Sequence, residues 1–345
     1  MSVKETGVSY YGLNDPERAR ADFEEMIAHH CNAVVLAVTE FDMDFWYPSV
    51  VRIAALAREM GLAVHLDPWG IGKFFGGEQV SLFLQNHADA RQVTALTGES
   101  VPAACVTTRA FREYFFDFVE RLARDTEADG FFWDEPHYQL PRYGTTVPTL
   151  TGAGVDWTCR CPVCQAAFQA EYGTEMPKLL TPEVVRFRQD RALGLLVEAA
   201  ERVKAIRPGV KVTLCVHATK DGYYAAERRG YSDWDRIGRE KAFDVFSTTI
   251  VAWDRPWSDF VEVTERTMLM ARKYGKEAQR WVMTYHRSPQ DLGDVGRAVR
   301  LYAEAGVDSI FAWTYRGGRG TTLEAPKANA VWEALGQAYA KVRER

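Results

Sequence analysis

Short runs of apolar, β-branched and aromatic residues alternate with longer stretches of helical period along most of the chain. Eight runs read as strands: Val8–Leu13, Ala33–Phe41, Leu62–Pro68, Gly130–Glu135, Val210–His217, Phe243–Trp253, Arg280–His286 and Ser309–Tyr315. They are nearly continuous in apolar character, as strands buried on both faces of a parallel sheet are. Helix signals fall between them. Asp15-Pro16, Thr181-Pro182 and Ser288-Pro289 each set a capping side chain before a proline at the first helical position. Gly61, Gly209 and Gly306 stand just ahead of the following strand, where a helix C-terminus turns back. This order predicts an α/β fold, a single (β/α)8 TIM barrel spanning residues 1–345. A doubly wound sheet would show a glycine-rich first turn, whereas strand one is followed by Tyr11-Gly12-Leu13-Asn14-Asp15-Pro16. Two connections are long, about 70–106 after strand three and about 136–180 after strand four. Loops of that length on a barrel are usually functional.

Composition narrows the partners. With 345 residues, 47% hydrophobic and 26% charged, the chain has ample material for a large core. The net charge of −5, without any basic run, speaks against a nucleic-acid or acidic-membrane partner. No segment approaches the roughly 18 apolar residues of a membrane span, and the first residues carry no apolar leader, so a cytoplasmic protein, or a mature form whose leader is already missing, is expected.

Chemistry in a barrel gathers where strands end. Those positions hold Glu40, then His65, Asp67 and Trp69, then Trp133-Asp134-Glu135-Pro136-His137. Later strands end in His217, Trp253-Asp254, Tyr285-His286-Arg287, and Trp313 with Tyr315. Tryptophan faces stack on the C–H faces of sugar rings, and carboxylates and imidazoles bond hydroxyls and move protons. This rim therefore suits a small carbohydrate or oligosaccharide. Glu40, Asp67, Trp69, His137, His217, Trp253, Tyr285, His286, Arg287 and Trp313 are the candidate substrate-binding residues; Glu135, Asp134 and Asp254 are the candidate catalytic ones. Several also have plain structural readings. Trp133 and Trp281 suit packing in the barrel or helix layer, His65 a hydrogen-bonded core, and Asp67 and Asp254 capping roles. The adjacent pair Asp134-Glu135, leaving the buried run Gly130-Phe131-Phe132-Trp133, is harder to explain without a role.

Of the six cysteines, Cys31 and Cys215 lie in apolar runs and read as small core residues. Cys159, Cys161 and Cys164 form Cys-x-Cys-x-x-Cys, a spacing suited to thiolates converging on a metal, with Cys105 as the candidate fourth ligand. Four thiolates closing a tetrahedron would order a long loop that has no core of its own, which points to a structural rather than a catalytic metal.

Trp133-Asp134-Glu135-Pro136 resembles the Asn-Glu-Pro that ends strand four in retaining β-glycosidases on (β/α)8 barrels. Pro102-Ala103-Ala104-Cys105 with the Cys159–Cys164 loop, followed by Phe168 and Glu171-Tyr172-Gly173, resembles the zinc-cysteine cluster of the family-42 β-galactosidases and of related, less characterised barrel families. The resemblance implies a glycosidase with Glu135 as general acid/base and zinc held by Cys105, Cys159, Cys161 and Cys164. Asp134 stands where that clan has Asn, and strand seven ends in Thr284-Tyr285-His286-Arg287 without the clan's nucleophilic Glu. Three mechanisms stay open. Glu135 could pair with Asp67, Asp254 or Glu40 in an inverting reaction. Asp134-Glu135 could run a substrate-assisted reaction on an acetamido sugar. Or hydrolysis has been lost. The competing functions are a metal-dependent sugar isomerase, epimerase or lyase, with Glu135, His217, Asp254 and His286 around a divalent ion, and a non-catalytic sugar binder.

Overall fold

Eight parallel strands close on themselves in the computed structural model, which describes residues 3–77, 79–139, 146–149, 152–218 and 229–343. They are β1 (Glu5–Tyr10), β2 (Ala33–Val38), β3 (Ala63–Pro68), β4 (Gly130–Trp133), β5 (Lys211–Val216), β6 (Val245–Thr248), β7 (Glu277–Met283) and β8 (Ser309–Trp313). Each pairs with its neighbours in sequence, and β8 closes the ring against β1 with Gly7 opposite Phe311. The predicted (β/α)8 barrel is the observed one.

Local chemistry explains most boundaries. The Asp15 side chain accepts from the Glu17 and Arg18 amides at 3.1 Å, and Thr181 caps helix Pro182–Ile206 through the Val184 amide. Gly61, Gly209 and Gly306 all take positive φ, as the helix-to-strand turns require. The Ser288-Pro289 signal misleads: the helix there begins at Gly293 behind Leu292 and has no side-chain cap. The run predicted as one strand over 33–41 stops at Val38, because Thr39 and Asp42 form a capping box that starts helix Glu40–Phe45. The run over 243–253 yields only the four strand residues of β6.

Inside the barrel sit Ala33, Val35, Phe132, Cys215, Trp281, Phe311 and Trp313. A Cβ on Gly7 would lie 2.5 Å from the Phe311 ring, so glycine is what lets that ring cross the barrel. Trp133 faces the other way and packs on Phe75, Phe115 and Phe131 in the helix layer, whereas Trp281 fills the barrel.

Both long connections leave the C-terminal rim. The one after β3 folds into helix Leu82–Asn86 and an antiparallel pair, Arg91–Val93 with Ser100–Ala104, before helix Arg109–Asp125. The one after β4 contains the paired segments Thr146–Thr149 and Gly152–Val155 and helix Pro162–Tyr172; its residues 140–145 and 150–151 lie outside the described residues. Among the described residues no helix is long and apolar enough to cross a membrane.

Candidate active site

The barrel mouth holds a pocket of about 540 Å³, counting its open entrance. Trp69, Gly76, Gly77, Asp134, Glu135, Cys215, Thr249, Ile250, Trp281, Tyr285, Trp313 and Leu323 line it. The floor is Trp281, whose indole N–H donates to Gln279 Oε1 at 3.0 Å and Ser247 Oγ at 3.2 Å. Trp313 leans on Trp281 (ring centroids 5.6 Å), and Tyr11 packs against Trp69 (4.9 Å) and Trp313 (5.5 Å).

The loop after β3 is tied across this mouth by a buried carboxylate. Glu40 has no exposure and accepts from Gly72 N at 2.7 Å, Ser81 Oγ at 2.7 Å and Phe83 N at 2.6 Å. Burial pushes its pKa up against the pull of those donors. Expected at the substrate, Glu40 instead holds the loop, because its oxygens are spent on backbone and hydroxyl donors. That loop in turn fixes the end of β4. Gly76 N donates to Asp134 O at 2.9 Å and His137 N donates to Phe74 O at 2.7 Å. A Cβ on Gly76 would lie 2.5 Å from Asp134 Oδ2, so only glycine allows this approach.

Asp134 is buried, while Glu135 keeps 30% side-chain exposure and takes φ +38°, a strained conformation for a bulky residue. His217 Nε2 lies 3.6 Å from Glu135 Oε2. Burial, reinforced by the Arg229 charge, drives the His217 pKa well down and takes His137 down to about 3, so both imidazoles are neutral. His137 Nδ1 must donate to the Glu135 carbonyl, 2.6 Å away, since that oxygen can only accept. Behind the pair lies Asp67, with zero exposure and, among the described residues, no hydrogen-bond partner for either carboxylate oxygen. Burial, then the charges of Asp134 and Glu135, push its pKa well above the carboxylate range.

Sequence reasoning placed Trp69, Asp134, Glu135, Tyr285 and Trp313 at one site, and the pocket gathers all five. It placed others there that the structure puts elsewhere. Asp254 and Arg287, both half-exposed, pair with each other on the surface. His286 is exposed, its amide donating to Leu323 O. Trp253 donates to Met283 O at 2.9 Å and stacks on Phe260, a packing role. The metal set Glu135, His217, Asp254 and His286 is therefore not assembled. Among the described residues, the groupings close enough to share an ion are the four cysteines and Asp134, Glu135 and Cys215. Cys215 and Trp281 were read as core; as inward positions near strand ends they are both core and pocket, and only barrel closure reveals the second role.

The second cluster is the predicted one. The Sγ atoms of Cys105, Cys159, Cys161 and Cys164 all lie within 4.8 Å of one another, buried, with Cys105–Cys164 at 3.4 Å and Cys105–Cys161 at 3.6 Å. A zinc tetrahedron with bonds near 2.3 Å has edges of about 3.8 Å, so four free thiols at this spacing fit one ion. Amides of Val93 and Cys164 donate to the sulfurs of Cys159 and Cys161, each at 3.5 Å. Hydrogen bonds from the neighbouring cysteines drive the Cys161 thiol pKa strongly down. The cluster joins the two long loops, one ligand from the first and three from the second.

No family model matches the chain, and no curated protein matches it by sequence. Solved structures do match. A beta-galactosidase from Rahnella sp. R3 superposes with a TM-score of 0.70 at 17% identity, over 100% of this chain and 56% of that one. A beta-galactosidase from Bacillus circulans sp. alkalophilus gives 0.68 at 13%, again over 100% and 56%. An endo-beta-1,4-mannanase from Thermotoga petrophila gives 0.62 at 9%, over 99% and 77%. The likeness is one of fold. This chain shares the (β/α)8 barrel of those glycoside hydrolases and spans little more than half the length of the galactosidases.

Proposed function

We propose that this barrel is a glycoside hydrolase, with Glu135 as the acid that protonates the departing glycosidic oxygen. The observation that carries the reading is the position of Glu135: it ends β4 on the pocket wall, partly open to solvent, in a pocket walled by Trp69, Trp281 and Trp313. Those faces suit a sugar ring, and the two imidazoles nearest Glu135, His217 and His137, are held neutral. We read the four-cysteine cluster as a structural zinc site, since four protein ligands leave no position for substrate. Four cysteines gathered as metal-binding thiols and two buried in the core suit a reducing compartment, and we place the protein in the cytoplasm.

The test is Glu135→Gln assayed on aryl glycosides. General-acid loss typically slows turnover by about 10²–10⁴-fold. The loss should be large for poor leaving groups and small for 2,4-dinitrophenol, which departs without a proton. Near-normal turnover of a glycoside with a poor leaving group would remove Glu135 from this role.

A further inference from the structure

Hydrolysis at an anomeric carbon needs a proton for the leaving oxygen and a nucleophile from the other side of the sugar ring. The described pocket supplies the first and not the second. Its lining carboxylates are Asp134 and Glu135, adjacent residues at the end of one strand. Their oxygens approach within 4.8 Å, short of the roughly 6.5–9.5 Å that an inverting acid and base keep to admit water. Among the described residues, the rest of the lining carries no carboxylate. Asp67, the third acid nearby, is sealed behind the wall and cannot touch pocket water.

We propose that the substrate is a 2-acetamido glycoside whose own amide oxygen is the nucleophile, an inference that rests on the hydrolase reading above. The depth of the two acids fits this arrangement. Glu135 is the outer one, placed for the glycosidic oxygen, and Asp134 is the inner one, beside Cys215. An acetamido group entering over Asp134 would set its N–H on that carboxylate and its methyl against the Trp281 and Trp313 rings. In the first step the amide oxygen bonds to the anomeric carbon as the glycosidic C–O bond breaks. Glu135 gives its proton to the leaving oxygen, and Asp134 accepts the amide proton, leaving a neutral fused oxazoline. In the second step Glu135, now a carboxylate, takes a proton from water while the water oxygen bonds to the anomeric carbon. The oxazoline C–O bond opens, and Asp134 returns its proton to nitrogen. One water is consumed, and the anomeric configuration is retained.

The experiment offers the protein 4-nitrophenyl glycosides of each common hexose, both anomers, in 2-acetamido and 2-hydroxy forms. The 2-acetamido series should react faster by at least about 10²-fold, because an intramolecular nucleophile replaces a bimolecular one. The first product seen by NMR should keep the substrate's anomeric configuration, and N-trifluoroacetyl analogues should be slower as fluorine weakens the carbonyl oxygen. A thiazoline fused at C1 and C2 should inhibit competitively and raise the Tm. Equal turnover of 2-hydroxy glycosides, or an inverted product, would overturn this inference and leave the hydrolase reading standing. No hydrolysis across the panel, with no thiazoline binding, would overturn both.

Discussion

Asp67 offers a test in which the barrel itself reports. Its carboxyl is completely buried, neither oxygen has a hydrogen-bond partner among the described residues, and it sits in the fields of Asp134 and Glu135. Burial is the larger cause of its raised pKa, and the two neighbours add to it. The folded protein therefore keeps a proton on Asp67 at pH values where the unfolded chain, titrating near 3.9, has released it. Where the folded state binds the extra proton, stability falls as pH rises. The slope for one such group approaches about 1.4 kcal/mol per pH unit between the unfolded and folded pKa, and vanishes outside that window. Asp67→Asn keeps the shape and removes the titration. Loss or gain of buried polar contacts sets a pH-independent offset of about 1–3 kcal/mol in either direction. On top of that offset, the variant should gain on the wild type steadily from about pH 4 upward. Urea unfolding of both proteins at half-unit steps from pH 4 to 8 measures the difference. Against the 5–15 kcal/mol that a typical domain has in total, a slope of this size is easily resolved. A difference that stays flat across the range, or a wild type that gains on Asp67→Asn as pH rises, would refute the buried-acid argument.

The other predictions address the site and its frame. Gly76→Ala places a methyl 2.5 Å from Asp134 Oδ2; it should cost about 1–3 kcal/mol in thermal unfolding and lower kcat/KM more than an alanine at the open Gly98 does. Metal analysis after gel filtration should find one zinc per chain, lost below about pH 5 as thiolates are protonated, and absent from Cys161→Ser. Asp254→Asn breaks an exposed pair with Arg287, so stability should move by less than about 1 kcal/mol and turnover should be unchanged in steady-state assays.

The sequence by itself determined the barrel, because eight unalternating apolar runs separated by capped helices leave few other ways to bury both faces of each strand. It also determined the cysteine cluster, where three ligands share one short loop and local spacing carries the geometry. Asp134-Glu135 stood out because two acids directly follow a buried strand. Tertiary structure decided the rest. Glu40, Trp253, Asp254 and His286 occupy strand-end positions as Trp69 and Tyr285 do, yet their fates differ with the loop that folds over each. Glu40 met amide donors from the loop after β3, and Asp254 met Arg287 in solvent. Position along a strand gives only the height of a residue in the barrel. Which heights open into a pocket depends on which neighbouring strands leave space there, and that is settled by contacts such as Gly76 on Asp134 and Phe311 over Gly7, between residues far apart in the chain.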